Sequence, residues 1–379
     1  MRAAQPHSAL DGKPQGTGAG AGEGEDSLDD SPLAAAIDLG TNNCRMLAAR
    51  PDAAGFRVVD SFSRITRLGE GVAGSGQLNE AAMDRTLRAL EACADRLDRL
   101  GVGTYRAVAT AACRAAANRD VFLDRVKAAT GLTLEVIPPE EEAQLALAGC
   151  APLLEPNRPR ALVFDIGGGS TELAWVALDQ EGRAPEDAAA LRPRLVAMES
   201  LSLGVVTMAE ASGGGHLDDR LYDDVVAHVS ARLAPFQARL QALGETPPLE
   251  QVQMLGTSGT VTTLGAIALG LNRYDRARVD GLTLDFPQIR AVSRQLLAMR
   301  PAERAGHPCI GRARADLVLA GCAILEAVCQ LWPVGRLRVA DRGIREGMLL
   351  ALMQTSGPGD FSGATRDRDD GCSEVGCLE

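Results

Sequence analysis

The sequence predicts an α/β protein built as two lobes. Three observations carry this expectation. Apolar strand-like runs alternate with helical ones along residues 32–353, a Pro-rich stretch at 152–159 interrupts the alternation, and one apolar strand ending in Asp and a Gly-rich turn occurs twice. The two copies are Ala36-Ile37-Asp38-Leu39-Gly40-Thr41 and Val163-Phe164-Asp165-Ile166-Gly167-Gly168; Asp165 follows Asp38 by 127 residues, about one domain length.

Strands are expected at Leu33–Leu39, Arg45–Ala49, Phe56–Phe62, Tyr105–Thr110 and Thr133–Ile137, and, after the break, at Ala161–Ile166, Glu172–Ala177, Leu195–Leu201, Gln251–Leu255 and Arg336–Ala340. A helix is expected over 80–100, where Met83, Leu87, Leu90, Ala94 and Leu97 recur at helical spacing, and another over 314–331, with Leu317, Ile324, Leu325, Val328 and Leu331 on one face. The expected lobes are 32–155 and 156–353. Residues 1–31, an acidic stretch, and residues 354–379 are polar and rich in small residues, so both are expected to be disordered tails.

The chain has 379 residues and 46% hydrophobic composition, enough for two cores. Aromatic residues make up only 3%, which argues against base recognition by stacking and hence against a nucleic-acid partner. The net charge is −11, of which residues 1–31 and 358–379 carry −4 each, leaving −3 for the rest. Lys occurs only at 13 and 127, so the positive charge is nearly all Arg, the side chain suited to bidentate phosphate binding. Of nine Cys, Cys44, Cys93, Cys113, Cys150, Cys322 and Cys329 lie in apolar stretches and read as core residues. With no signal peptide and no apolar run near the roughly 20 residues of a membrane span, a cytoplasmic protein is expected.

The strongest chemical signal is Asp165-Ile166-Gly167-Gly168-Gly169-Ser170-Thr171-Glu172. Glycine weakens a strand unless its backbone must approach something closely. A turn of Gly amides with the Ser170 and Thr171 hydroxyls offers a concave set of donors for phosphate oxygens, and flanking carboxylates imply magnesium. The first copy, Asp38-Leu39-Gly40-Thr41-Asn42-Asn43-Cys44-Arg45, has polar donors at Thr41, Asn42 and Asn43 and a fixed charge at Arg45. Arg114, alone among small residues after a predicted strand, reads as a phosphate-gripping side chain or as a surface Arg. Glu140-Glu141-Glu142 opens a helix: such acids complement the helix dipole, and one of them is a candidate base for water, spacing leaving open which. Gly256-Thr257-Ser258-Gly259 follows a strand and opens a helix, a second anion site.

In this order these segments resemble the exopolyphosphatase / guanosine pentaphosphate phosphohydrolase (Ppx/GppA) family of the actin-like phosphotransferase superfamily. Leu201-Ser202-Leu203-Gly204, Arg314-Ala315-Asp316-Leu317 and Asp341-Arg342-Gly343-Ile344-Arg345-Glu346-Gly347 add to the resemblance, which covers Ala35 to Leu350. It implies an actin-like (ribonuclease H-like) duplicated fold with the active site in the interlobe cleft. It also implies Glu142 as catalytic base, Arg114 and Arg45 as phosphate ligands, Asp165 and Glu172 as magnesium ligands, and a homodimer. The short, two-domain form is expected, since no His-Asp pair of the long members occurs; Asn43 stands where many relatives have Ser.

The expected activity is exopolyphosphatase, hydrolysing terminal phosphoanhydrides of inorganic polyphosphate, with guanosine pentaphosphate (pppGpp) hydrolysis as the alternative. Outside that class stand an ATP-dependent kinase of the same superfamily and a non-catalytic alarmone sensor.

Overall fold

The computed structural model describes residues 31–53, 55–178, 193–214 and 217–355. The expected tails fall outside these residues, except that the last helix runs on to Thr355, past the expected boundary at 353.

Among the described residues two mixed sheets form, of five and six strands, with five strands of each in one topology. In the first, β1 (Ala34–Leu39), β2 (Asn43–Asp52) and β3 (Gly55–Ile65) form an antiparallel meander, and β4 (Thr104–Ala109) and β5 (Glu135–Val136) add parallel to β1, giving the order β3-β2-β1-β4-β5. In the second, β6 (Arg160–Ile166), β7 (Thr171–Ala177) and β8 (Arg194–Leu201) repeat the meander, and β9 (Val252–Thr257) lies parallel to β6. A short strand β10 (Thr283–Asp285) pairs with β11 (Arg336–Ala340), which lies parallel to β9, so the order is β10-β11-β9-β6-β7-β8. Apart from β10 the second order repeats the first. This is the duplicated two-sheet arrangement that the sequence predicts.

All ten expected strands are present. β10 escaped the sequence because it is three residues long with one buried apolar side chain, Leu284, which leaves no periodicity to read. The expected helix over 80–100 forms as Glu80–Leu100, closed by the Asn79 side chain accepting from the Ala82 amide and by Gly101 at φ 65°. The helix expected over 314–331 begins only at Val318; residues 312–317 wind as turns, with Leu317 N–H donating to the Arg314 carbonyl. That irregular stretch turns Arg314 into the cleft.

Two helices pack across the expected division at 155/156 and join the lobes. Helix Pro139–Cys150 follows the first sheet, yet buries Leu147 and Cys150 against Val163, Ala174 and Leu255 of the second. Helix Ile344–Thr355 follows the second sheet, yet buries Met348, Leu349 and Leu352 against Ala34, Ala36, Leu47 and Val108 of the first. The expected second lobe, 156–353, therefore includes a helix that packs on the first sheet. No helix among the described residues is long and apolar enough to cross a membrane.

The two helices cross almost backbone to backbone. A Cβ on Gly347 would stand 2.0 Å from the Leu145 carbonyl oxygen, where only main chain can yield. Gly347→Ala should destabilise the protein by at least about 2 kcal/mol, the scale of overpacking against a rigid neighbour. Thermal unfolding checks this, with a fall in Tm of several degrees expected.

Candidate active site

The two sheets present matching hairpin turns to one cleft. In the first, the Gly40 amide donates to the Asn43 carbonyl at 2.9 Å; in the second, Gly167 donates to Ser170 at the same 2.9 Å. Among the described residues the amides of Thr41, Asn42, Gly168 and Gly169 donate to no backbone carbonyl, which leaves them available to an anion. The two turns touch. A Cβ on Gly168 would lie 2.9 Å from Thr41 Cβ, and one on Gly169 would lie 2.7 Å from Thr41 Oγ1. The triple glycine is thus demanded partly by the opposite hairpin.

Directly behind each turn sits a cross-strand pair, and here the repeats diverge. Asp38 pairs with Arg45 across β1 and β2, whereas Asp165 pairs with Glu172 across β6 and β7. Opposed like charges on one sheet face repel. Burial, then the Glu172 charge and Asp38, push the Asp165 carboxyl from 3.8 up to about 7. Burial also raises Glu172, against hydrogen bonds from Ser170 and from Ser200, the latter at 2.9 Å. Asp38 is raised by burial, opposed by Arg45 and Arg345, and its Oδ1 is buried without a hydrogen-bond partner.

The three acids that open helix Pro139–Cys150 separate by environment. Glu140 is exposed, Glu141 is held by Arg106, and Glu142 is buried and lines the cleft. Arg114 Nη1 donates to Glu142 Oε2 at 2.6 Å and to the Ile137 carbonyl at 3.0 Å. Burial raises the Glu142 carboxyl well above its ordinary value, and the Glu172 charge adds to this; Arg114 opposes both. A buried carboxylate with a raised pKa, oriented by one Arg, is equipped to act as a proton acceptor.

Of the residues singled out from sequence, Asp38, Arg45, Glu142 and Asp165 line the cleft together with Gly40–Asn43, Gly167–Ser170, Ser258 and Gly259. Arg114 and Glu172 stand one layer back, Arg114 on Glu142 and Glu172 beside Asp165. Three residues face elsewhere. Thr171 Oγ1 donates to the Leu203 carbonyl, Thr257 Oγ1 donates to the Arg342 carbonyl, and Gly256 leaves room for the Phe164 ring, 2.6 Å from where its Cβ would be. Ser258 is held at φ 81°, a left-handed conformation unusual for serine, with its hydroxyl on the Ile166 carbonyl at 2.6 Å.

From sequence, Arg314 reads with Arg273, Arg276, Arg278 and Arg312 as part of a basic track leading away from the cleft or as surface charge, and Arg345 carries no site role. Arg314 lines the cleft, and burial followed by the nearby Arg45 charge lowers its pKa. Arg345 is lowered by burial, with Glu346 and Asp38 opposing. The signal was one Arg in a motif following a strand or turn, which reads equally as surface charge.

Among the described residues no three His, Cys, Asp or Glu side chains converge to hold a metal by themselves. A paired Asp165 and Glu172 whose repulsion is only partly relieved by nearby hydroxyls and guanidinium groups, and an unpartnered oxygen on Asp38, nevertheless fit a hard divalent cation. Magnesium in particular takes one or two carboxylates and completes its shell with water and phosphate.

A profile of the Ppx/GppA phosphatase family matches residues 47–356. The chain is 31% identical over 334 residues to exopolyphosphatase 2 of Mycobacterium tuberculosis, covering 84% of this chain and 98% of that one. It is 29% identical to a guanosine-5'-triphosphate,3'-diphosphate pyrophosphatase of Aeromonas hydrophila, covering 90% of this chain but spanning only 63% of that relative's length. Among solved structures, an exopolyphosphatase-like protein superposes with a TM-score of 0.74 at 30% identity over 85% of this chain and 98% of that one. The Aquifex aeolicus Ppx/GppA family member gives 0.67 at 28% identity over 86% and 98%. Fold, cleft and kinship agree: this chain belongs to the Ppx/GppA phosphatase family.

Proposed function

We propose that the protein is an exopolyphosphatase that uses water to remove the terminal phosphate of inorganic polyphosphate, with magnesium as its metal. The observation that carries this reading is the buried Glu142–Arg114 pair, facing Asp165 and Glu172 beneath two turns of free backbone amides. Full-length similarity to a relative named as an exopolyphosphatase supports it.

In the mechanism we infer, the amides of Thr41, Asn42, Gly168 and Gly169 and the charges of Arg45 and Arg314 bind the terminal phosphate groups. Glu142 orients a water and takes its proton as the water oxygen attacks the terminal phosphorus. The bond to the bridging oxygen breaks, and the shortened chain leaves with the electron pair. Arg114 keeps the Glu142 carboxylate aimed and favours its charged form. Magnesium bound at Asp165 and Glu172 would neutralise charge on the transferred group. The chemistry asked of the protein is mainly positioning and electrostatics.

Guanosine pentaphosphate is the second substrate we infer, on the strength of the relatives named for it. For the assembly we propose a homodimer, the commonest closed oligomer. For the compartment we propose the cytoplasm, in keeping with seven free cysteines among the described residues. Phosphate release from long-chain polyphosphate and from guanosine pentaphosphate, measured side by side with magnesium, tests the reading. Faster release from polyphosphate is expected, preference for the nucleotide reverses the order, and release from neither overturns the proposal.

Glu142→Gln should lower hydrolysis about 10²–10⁴-fold, the usual weight of a general base, at an unchanged Tm. Arg114→Gln should move the acid limb of the pH–rate profile upward, because the Arg114 charge holds the Glu142 pKa down; kcat measured across pH checks the direction. The third expectation concerns stability. A carboxyl raised from 3.8 to about 7 contributes stability that is present below its unfolded value and lost as pH rises through its folded one. Compared with Asp165→Asn, the metal-free protein should therefore lose Tm between about pH 4 and pH 7, and added magnesium should raise Tm more at pH 8 than at pH 5.

A further inference from the structure

A segment outside the cleft links the two hairpins. Thr66 and Arg67 amides donate to the Asn42 carbonyl at 2.9 and 3.1 Å, and the Gly69 amide donates to the Thr41 carbonyl at 2.9 Å. The segment is thus fastened to the back of the first phosphate turn. Arg85 braces it from the Glu80–Leu100 helix, with Nε on the Thr66 carbonyl at 3.0 Å and Nη2 on Glu70 at 2.8 Å.

From that base the segment reaches the second lobe twice. Arg67 Nη2 donates to the Ala313 carbonyl at 3.1 Å and to Asp316 Oδ1 at 3.0 Å, on either side of Arg314. The Gly71 amide donates to Glu210 Oε1 at 2.9 Å. Glu210 belongs to helix Val205–Ala211, whose first amides, Val205 and Val206, donate to the Gly167 and Gly168 carbonyls at 2.9 and 2.8 Å. Each bridge ends on an element that itself carries cleft residues.

Arg67 also has φ 50°, in the left-handed region. For a residue with a Cβ that conformation costs roughly 1–2 kcal/mol and persists only where its surroundings enforce it. Its ion pair is partly exposed, 32% for Arg67 and 38% for Asp316, a setting in which such pairs add little to global stability. The arrangement is therefore poorly explained as a stabilising contact and well explained as a geometric one.

We propose that residues 66–71 form a strap that sets the spacing of the two phosphate-binding turns, with Arg67 as its positioning residue and Asp316 and Glu210 as its anchors across the cleft. Without the strap the lobes part more readily, and the two sets of amides no longer converge on one anion. This consequence for catalysis rests on the hydrolase reading; the conformational role does not.

Amide hydrogen exchange of segments 40–45 and 166–171 tests the strap without any substrate. Arg67→Ala and Asp316→Ala should each speed exchange in both turns about tenfold, at a Tm within about 2 °C of the parent, and the double variant should be no worse than either. Arg67→Lys, which keeps charge without the fork, should recover part of the protection. Acceleration below threefold in either turn, or fully additive effects in the double variant, overturns the proposal. Should the Arg67 variants lose Tm, the exposed Glu210→Ala change, which removes the acceptor for the Gly71 amide, tests the second anchor by the same criterion. Phosphate release is measured in parallel, with kcat/KM expected to fall about tenfold. A parent protein that releases none overturns the hydrolase reading while the exchange rates still decide on the strap.

Discussion

The arrangement of this cleft depends on bare glycine backbone of one lobe packing against the Thr41 side chain of the other. Gly168 and Gly169 approach Thr41 and Asn42 so closely that one methyl group would part the turns. Because the glycines bring no side chain to this contact, the free amides of both turns face one small volume, and an anion held there gains from both. Donors fixed by the fold cost little reorganisation when charge builds on a ligand, which is the physical basis of preorganised catalysis.

Around that volume the charges are out of balance in a structured way. The duplicated hairpin places an acid at the same position in each lobe, but its cross-strand neighbour is Arg45 in one and Glu172 in the other. One lobe therefore sets a guanidinium across from its Asp, which lowers the cost of the charge without bonding its Oδ1, while the other keeps two buried acids that raise each other's cost. Arg45 and Arg314 stand near enough for one to lower the other's pKa. Separate surpluses of negative and positive charge in one cleft suit a phosphate chain accompanied by a divalent ion, which relieves both.

Much of this was legible in the sequence because it follows from local rules. Every strand of ordinary length shows as a β-rich run between turn residues, and the spacing between Asp38 and Asp165 announced the duplication. The Asp and Gly of each hairpin are local signals, and both turns form as read. What stayed hidden was relational. Glu140, Glu141 and Glu142 are alike in sequence and differ only in which neighbour each meets. Thr171 and Thr257 carry the right chemistry but turn their hydroxyls to backbone carbonyls. Arg67 and Arg314 acquire their positions from left-handed or irregular backbone that no periodicity encodes, and the helix swap between sheets joins residues some 300 positions apart, such as Ala36 and Met348.

That swap bears on how the chain reaches its fold during synthesis. The face of the first sheet that carries Ala34, Ala36 and Leu47 is sealed by helix Ile344–Thr355, made some 300 residues later. Emerging from the ribosome at about 5–20 residues per second, the chain leaves that apolar face uncovered for roughly 15–60 seconds. The strands of the first sheet are synthesised early but that face is covered last, so until the final helix docks its apolar surface is exposed to wrong pairing. Contacts of such separation in sequence also make refolding from denaturant slow.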